Sequence, residues 1–267
     1  MVIDSHEHIM VPTEIQLIKM KEAGINKAVL FCTAPHPEQA NTLGELKTEM
    51  SALYKILSGA NTKEENMKRM ENNIKELVNV LKQYPDKFYG FGSVPIDLSL
   101  EDTVEWIEQK IILNGLKGVG EFTLGTDEQI EKLEYIFQAL EKTRPLPIWI
   151  HTFNPVELSG VRVVMRLTKE HPHIPVIFGH MGGYHWMEVI EFAKSVHNAY
   201  IDLSAAFSTL AVRMAVTELP DKCLFGSDAP YGTPMLSKQM IEYICESSVV
   251  KENILGRNIL RLIGEEN

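Results

Sequence analysis

The sequence predicts a (β/α)8 barrel, or TIM barrel, with an extra helical insert after the second strand. The chain has 267 residues, which is about the usual length of such a barrel. Short apolar runs rich in β-branched and aromatic residues alternate with longer stretches of helical periodicity. The last five runs end near residues 122, 151, 180, 204 and 228, so each step spans roughly 24 to 30 residues, one βα unit. We therefore treat residues 1–267 as a single domain.

Eight apolar runs are the strand candidates. Near-continuous apolar strands are typical of a parallel sheet that is buried on both faces. In chain order the runs are VIDSH (2–6), KAVLFCT (27–33), KFYGFGSV (87–94), GLKGVGEF (115–122), LPIWIH (146–151), PVIFGH (175–180), AYIDLS (199–204) and KCLFGSD (222–228).

Amphipathic stretches such as TVEWIEQKIIL and DEQIEKLEYIFQALEK separate these strands. The interval after the second strand, residues 34 to about 62, contains an additional helical segment. Since the loops that follow the strands surround the active-site mouth of such barrels, this insert is a candidate lid or oligomer contact. A helix that only packs is an equal alternative. The apolar face of the segment comprises Leu46, Met50, Leu53, Tyr54 and Leu57.

The composition excludes several classes of protein. The net charge is −10 and no basic tract offsets it, which argues against binding nucleic acid or an anionic membrane but leaves a local anion site open. Three cysteines without a CxxC pair are typical of free thiols. The chain shows neither a signal peptide nor an apolar run of about 18 residues, so we expect a cytoplasmic protein.

The first strand carries two histidines separated by one residue, His6 and His8. Residues two apart in a strand point to the same face with their Cα atoms about 6.5–7 Å apart, as two ligands of one metal ion require. Two solvated imidazoles on an exposed N-terminal arm are the alternative for this stretch taken alone.

Polar residues at the ends of other predicted strands favour the metal site. Histidines close the fifth and sixth strands, an aspartate closes the eighth, and a glutamate lies at the end of the fourth. The carboxyl ends of barrel strands meet at one face, where active sites are built. Imidazole and carboxylate ligands suit Zn²⁺, and Mn²⁺, Fe²⁺ or Co²⁺ are chemically acceptable. The six candidate ligands are His6, His8, Glu121, His151, His180 and Asp228.

A second pair of histidines, His171 and His173 in EHPHIP, precedes the sixth strand. That position places the pair at the opposite end of the barrel, where residues serve stability. The proline between them also disfavours a regular interior strand. We therefore expect both to be surface imidazoles.

The ligand pattern, HxH on the first strand with later His, His and Asp, resembles the amidohydrolase superfamily of metal-dependent barrels. The segments FGHMGG, FGSDAPYG and NILGRNILRLIG resemble its amidohydrolase-2 branch, which includes aminocarboxymuconate-semialdehyde decarboxylase and related decarboxylases and hydrolases. The resemblance implies that His6, His8, His151 and Asp228 hold one metal ion. His180 would then contact the water or the substrate.

Glu121 departs from that pattern. Its setting, GVGEF, resembles the fourth-strand glutamate that bridges two metals in TatD-like deoxyribonucleases. With Glu121 as a bridge, His6, His8 and Asp228 hold one ion and the two later histidines, His151 and His180, hold a second. The alternative is a carboxylate that is merely paired with a ligand histidine.

The expected activity is hydrolysis of a small amide, ester or lactone by a metal-activated water. Asp228 is expected to serve as ligand and general base, and His180 to polarise the scissile carbonyl. Asp4, on the same strand face as the first two histidines, is a candidate acceptor for an imidazole N–H, or for a bond elsewhere.

Two alternatives stay open. Decarboxylation of a small carboxylic acid requires groups that bind a carboxylate, and arginines near the predicted mouth are sparse; only Arg162 and Arg213 follow suitable strands. A catalytically inactive metal-binding barrel is the non-enzymatic alternative. The acidic surface and the insert are compatible with a monomer or a homodimer, and the expected partner is a small-molecule substrate.

Overall fold

The computed structural model describes residues 1–33, 35–57 and 62–266. Eight parallel strands form one sheet in sequence order, alternating with helices, which confirms the predicted TIM barrel. The strands are β1 (Ile3–His8), β2 (Lys27–Phe31), β3 (Phe88–Gly92), β4 (Gly118–Phe122), β5 (Ile148–His151), β6 (Val176–Gly179), β7 (Ala199–Asp202) and β8 (Cys223–Leu224).

The barrel closes where the chain after β8 runs alongside β1. The amide of Ser5 donates to the carbonyl of Phe225 at 2.8 Å, and that of His8 to Ala229 at 2.7 Å. In return the amide of Asp228 donates to the carbonyl of His6 at 2.9 Å. The regular strand β8 is shorter than the predicted run 222–228, because the residues beyond Leu224 follow an irregular path along the closing seam.

Helices surround the sheet. The segment predicted to be helical over 127–142 is divided at Lys132 into two helices, and the helix around 100–112 ends in a π-type segment, Ile107–Ile112. The helices are α1 (Thr13–Ala23), α2 (Leu43–Leu57), α3 (Lys63–Gln83), α4 (Leu100–Trp106), α5 (Asp127–Glu131), α6 (Leu133–Lys142), α7 (Leu158–Glu170), α8 (Trp186–Ser195), α9 (Thr209–Glu218), α10 (Pro234–Ile244), α11 (Ser248–Glu252) and α12 (Asn258–Leu262).

Aromatic side chains fill the barrel interior beneath the mouth. Phe31, Phe91 and Trp149 are fully buried there, and the ring of Phe31 lies 5.2 Å from that of Phe91 and 5.7 Å from that of Trp149. The C-terminal helix α12 adds Ile259 and Leu260 to the same cluster. A second and larger core lies between the strands and the helices. The barrel interior beneath the mouth is therefore filled by packed side chains.

The predicted insert is present as α2, which is followed by α3. Residue 34 and residues 58–61 of the interval lie outside the described part of the chain. Helix α3 begins with a capping box: the amide of Glu65 donates to Thr62 Oγ1 at 3.1 Å, and the amide of Thr62 donates to Glu65 Oε2 at 2.8 Å. Its apolar side, including Ile74 and Leu77, is buried against the barrel.

Within the described residues no helix is both long and apolar enough to cross a lipid bilayer. The three cysteines are free thiols, as expected, and Cys223 and Cys245 are buried.

Candidate metal centre

The structure brings all six candidate ligands together at the carboxyl ends of the strands. His6 and His8 lie on β1 and Glu121 on β4, while His151 ends β5. His180 is the residue after β6, and Asp228 lies on the closing seam after β8. None of the six side chains is more than 13% exposed.

Glu121 lies between two pairs of histidines. Its Oε2 is 3.4 Å from Nε2 of His6 and 3.4 Å from Nε2 of His8. Its Oε1 is 2.9 Å from Nδ1 of His151 and 3.6 Å from Nε2 of His180. Each carboxylate oxygen therefore faces its own pair of imidazole nitrogens.

Asp228 belongs to the half of the cluster on β1. Its Oδ1 lies 3.2 Å from Nε2 of His8 and 3.9 Å from Nε2 of His6. The ligand atoms of His6, His8 and Glu121 all lie within 4.8 Å of one another, as do those of Glu121, His151 and His180. Both groups can hold a metal ion, and Glu121 is common to them.

The separations between Glu121 and the two β1 histidines fit coordination better than direct pairing. The separations of Glu121 Oε1 from His151 (2.9 Å) and of Asp228 Oδ1 from His8 (3.2 Å) are within hydrogen-bonding range. Two ligands of one tetrahedral Zn²⁺, each bound at about 2.1 Å, are separated by about 3.4 Å, whereas a direct N–H···O hydrogen bond spans about 2.7–3.2 Å. Oε2 of Glu121 lies at the first of these distances from both β1 histidines. Nε2 of His6 is also buried without a hydrogen-bond partner among the described residues. The residues present therefore fit a divalent cation.

Ser204 and Asp202, just after and at the end of β7, support the outer nitrogens of two histidines. Ser204 Oγ lies 3.2 Å from Nδ1 of His6 and 2.9 Å from Nδ1 of His180, and it donates to Asp202 Oδ2. Hydrogen bonds at the outer nitrogen fix the tautomer and ring orientation of a metal-ligating histidine. These two residues were not among the predicted site residues, although the polar pair ending AYIDLS was the available signal.

Two of the six residues adopt left-handed backbone conformations. His180 has φ 55° and Asp228 has φ 58°. Non-glycine residues reach this region at a cost and persist there when the surrounding structure holds them, which is common at functional sites. The backbone amide of His180 donates to Asp202 Oδ2 at 3.0 Å, and that of Asp228 is held by His6. The fold thus directs both side chains into the cluster.

Close backbone approach also requires glycine beside these residues. A Cβ on Gly179 would lie 2.1 Å from the ring of Trp149, and one on Gly226 would lie 2.4 Å from Asp202 Oδ1. The motifs FGHMGG and FGSDAPYG therefore need their first glycine for packing next to the site.

The charges of the cluster compensate one another. Burial opposes ionisation of Glu121, but its contacts with His151, His180 and His6 hold the pKa of its carboxyl well below the usual range. Burial likewise opposes charge on His180, yet the contact with Glu121 and the charge of Asp228 outweigh it and raise the pKa of His180 to about 9.

In the pair formed by His8 and Asp228, the contact between the two charged groups likewise outweighs the effect of burial on both pKa values. Burial disfavours both charges, but their mutual contact raises the pKa of His8 and lowers the pKa of Asp228. Without a metal, protons on the imidazoles balance the two carboxylates, so a divalent cation would replace these protons.

Asp4 does not contact an imidazole. Its Oδ1 accepts from the backbone amides of His6 at 3.1 Å and Ser227 at 2.9 Å, so it joins β1 to the closing seam. Of the two expectations for Asp4, the hydrogen bond elsewhere is the one observed. Glu7 points to the other side of β1, fully buried, where it accepts from Gln16 Nε2 at 2.7 Å.

The prediction of surface imidazoles for the second histidine pair was wrong for His171. His173 is exposed, but His171 is only 6% exposed and stacks on Phe137 with ring centroids 5.0 Å apart. Its Nε2 lies 3.3 Å from Glu134 and its Nδ1 3.0 Å from Glu141. The sequence misled because His171 directly follows α7 and packs against α6, which the pattern HPH does not reveal.

A cavity of about 590 Å³ opens beside the cluster. His8, Glu121, His151, His180 and Asp228 line one part of it, and His6 lies buried behind them. Most of the rest of the wall comes from α2, α3 and the segments after β2, β3 and β4, and Gln129 on α5 and Tyr231 after β8 also line it.

Among the described residues, the arginine that lines this cavity is Arg69 on α3. Arg162 lies instead on the outside of α7, where it pairs with Glu188 at 3.4 Å, and Arg213 is exposed on α9. The sequence pattern did not single out Arg69, because only arginines that closely follow strands were expected at the mouth.

The amidohydrolase family model matches residues 11–264. No curated protein matches the chain significantly. Among solved structures, the chain is similar to 5-carboxyvanillate decarboxylase from Sphingomonas paucimobilis (TM-score 0.73, 15% identity, 98% of each chain covered). It is also similar to 2,6-dihydroxybenzoate decarboxylase from Rhizobium (TM-score 0.70, 16% identity, 98% of each chain).

A third similar structure is a dihydroxybenzoic acid decarboxylase from Polaromonas with bound manganese and an inhibitor, 2-nitroresorcinol. It has a TM-score of 0.66 and 15% identity over 98% of this chain and 96% of that one. At sequence identities this low, the similarity to solved structures shows a shared fold and nothing more. The family model, however, spans nearly the whole chain, including the strand-end motifs after β4, and this protein therefore belongs to the amidohydrolase family, in its amidohydrolase-2 branch.

Proposed function

We propose that this protein is a metal-dependent hydrolase of a small amide, ester or lactone, with Glu121 bridging two divalent cations. The observation that supports this most directly is the placement of Glu121, whose two carboxylate oxygens each face a separate pair of imidazoles. A carboxylate that only neutralised the charge of one histidine would need only one such contact.

Each half of the cluster would hold one cation. His6, His8 and Asp228 would provide the protein ligands of the first, His151 and His180 those of the second, and Glu121 would belong to both. Zn²⁺ and Mn²⁺ both accept this mixture of imidazole and carboxylate ligands, and one similar structure contains manganese. Bound there, such a cation supplies Lewis-acid chemistry, stabilising negative charge on oxygen and acidifying water.

Asp228 is the residue best placed to move protons. Its carboxyl lines the cavity, and its lowered pKa keeps it ionised at neutral pH. It can accept the proton of the attacking water through Oδ1 and return it to the leaving group, the two steps of general acid–base catalysis.

Metal content tests the bridge. We expect about two equivalents per chain, measured by elemental mass spectrometry on untagged protein purified without chelator, and about one for Glu121→Gln, which keeps the shape but loses the second anionic oxygen. Glu38→Gln is the matched control, because Glu38 lies outside the cluster and hydrogen-bonds the backbone amide of Val11. One equivalent in the unaltered protein would contradict the bridge.

Turnover tests the reaction. We expect a panel of small esters, lactones and amides to contain a substrate, and Asp228→Asn to lower kcat by on the order of 10² to 10⁴, the usual contribution of a general acid–base group. A metal-loaded protein that turns over no member of this panel and releases no CO₂ from carboxylic acids would favour the inactive metal-binding barrel.

Decarboxylation of a small carboxylic acid is the second candidate. The three similar solved structures are decarboxylases that align over almost the whole chain. The presence of Arg69 in the cavity also removes the objection that the mouth lacks an arginine. Release of CO₂ from 2,6-dihydroxybenzoate or 5-carboxyvanillate, with no ester or lactone turned over, would favour this reaction over hydrolysis.

A further inference from the structure

We propose that Arg69 binds a carboxylate carried by the substrate, on the wall that α3 forms over the ends of β2 and β3. This inference deepens the proposed function, on which it rests, by assigning a substrate class: small organic acids with an apolar body. In hydrolysis this carboxylate is separate from the bond that reacts, whereas in decarboxylation a carboxylate is itself the reacting group.

The guanidinium of Arg69 lacks an anionic partner in the described part of the chain. A hydrogen bond runs from its Nη2 to Asn66 Oδ1 at 3.3 Å, and its Nε is buried with no hydrogen-bond partner among the described residues. The undescribed residues 34 and 58–61 are, by sequence, Ala and Ser-Gly-Ala-Asn, none of which carries a carboxylate side chain.

The acidic groups of the same cavity are already engaged. Asp97 pairs with Lys132 at 2.5 Å, and Glu121 and Asp228 face the histidine cluster. Burial disfavours an unpaired guanidinium strongly enough to lower the pKa of Arg69. An anion entering the cavity would therefore meet a partly desolvated cation with several unused donors.

The position of Arg69 separates recognition from chemistry. The six cluster residues come from β1, β4, β5, β6 and the seam after β8, whereas none of them belongs to β2 or β3. The segments after these two strands, with Cys32, Thr33 and Ser93, line the cavity, and α3 lies over them. A substrate in the cavity can therefore reach Arg69 and the cluster with different groups.

Much of the remaining wall is apolar, although polar groups such as Asn73 and Gln129 also line it, and the apolar part restricts the body of the ligand. Met50 on α2, Met67 and Met70 on α3, and Val94 and Ile96 after β3 line the same space. Methionine side chains adapt to flat or irregular apolar groups. A guanidinium binds a carboxylate through two parallel hydrogen bonds, which an ammonium group cannot match. An aromatic or branched acid of benzoate size fits both features.

Titration calorimetry with benzoate and benzamide tests this assignment, because the two probes share a shape and differ in charge. We expect zinc-loaded protein to bind benzoate more tightly than benzamide. Arg69→Gln should weaken the affinity for benzoate by roughly tenfold or more and leave the affinity for benzamide unchanged. Arg69→Lys should retain part of the preference for benzoate over benzamide. Lys63→Gln is the matched control, since exposed Lys63 lines the same cavity from the same helix.

Three results would overturn the inference. The unaltered protein could bind both probes with equal affinity, Arg69→Gln and Lys63→Gln could lose equal amounts of benzoate affinity, or Arg69→Gln could leave the benzoate affinity unchanged. The last would place the anion on the metal centre instead. Metal content and circular dichroism of each variant are recorded separately. A protein that holds no metal would contradict the proposed function, yet its benzoate discrimination would still be measurable and would test Arg69 alone.

Discussion

The chain contains two HxH motifs, His6-Glu7-His8 and His171-Pro172-His173, whose fates differ. The first lies on a regular strand at the mouth, with both rings facing the shared carboxylate of Glu121. The second begins at the residue directly after α7, at the other end of the barrel. Its two rings have different environments: His171 is buried and His173 is exposed.

The difference teaches that spacing alone does not make a metal site. Two rings must share a strand face, and carboxylates from elsewhere must converge on them. At the first motif, Glu121 comes from β4 and Asp228 from the closing seam after β8. At the second, Glu134 and Glu141 both belong to α6 and flank a single ring. The first motif predicts function and the second predicts stability.

The largest expected effect comes from the first motif. His8→Asn should weaken metal binding by more than roughly 100-fold, because even residues that only orient a metal ligand typically contribute roughly 10- to 100-fold. His173→Asn, the corresponding change in the second motif, should leave metal content and turnover unaltered. Zinc titration against a competing chelator measures both. Equal losses in the two variants would erase the contrast between the motifs.

Ser204→Ala sharpens the comparison by removing the support of the first motif rather than a ligand. The hydroxyl contacts the outer nitrogens of His6 and His180, so its loss should weaken metal binding by roughly tenfold while the fold persists. The same chelator competition gives the value. An affinity equal to that of the unaltered protein would mean that Ser204 does not orient the rings.

His171→Ala should affect stability and spare the metal. Loss of the ring stacked on Phe137 is expected to lower the free energy of unfolding by about 1–2 kcal/mol, in the usual range for a buried substitution. The partly exposed Glu134 and Glu141 contribute little of this, because solvent screens them. Chemical denaturation measures the change; a loss of metal without a loss of stability would reverse the assignment.

A dependence on pH is expected in the metal-free protein. The pKa of His180 is raised from 6.5 to about 9, so its stabilising contribution is complete below about pH 6.5 and disappears as the pH rises through about 9. Metal binding needs the deprotonated ring, so zinc affinity should rise over the same window. Thermal unfolding of the metal-free protein measures its stability, which should fall as the pH rises. Chelator competition measures the zinc affinity, which should increase over the same range. Stability and zinc affinity that rose together with pH would contradict a raised pKa for His180.

Local patterns in the sequence were sufficient for the barrel and for the convergence of the six ligand-type residues. Apolar runs, helical periodicity and repeat length are short-range properties, and a parallel barrel brings every strand end to one face. His151, His180 and Asp228 could therefore be assigned to the mouth by their positions after apolar runs alone. Their metal-binding role stays a prediction.

The tertiary structure alone decided which other groups reach the cluster and the cavity. Ser204 joins two histidines that lie 198 and 24 residues away along the chain, and no local pattern encodes that contact. His171 is buried because α6 presents Phe137 to it. Arg69 enters the cavity because α3 folds over the ends of β2 and β3. Local periodicity in the sequence determined which ligand-type residues lie at the strand ends. Which other side chains line the cavity depends on how helices from distant segments pack on the barrel, and local periodicity does not specify this packing.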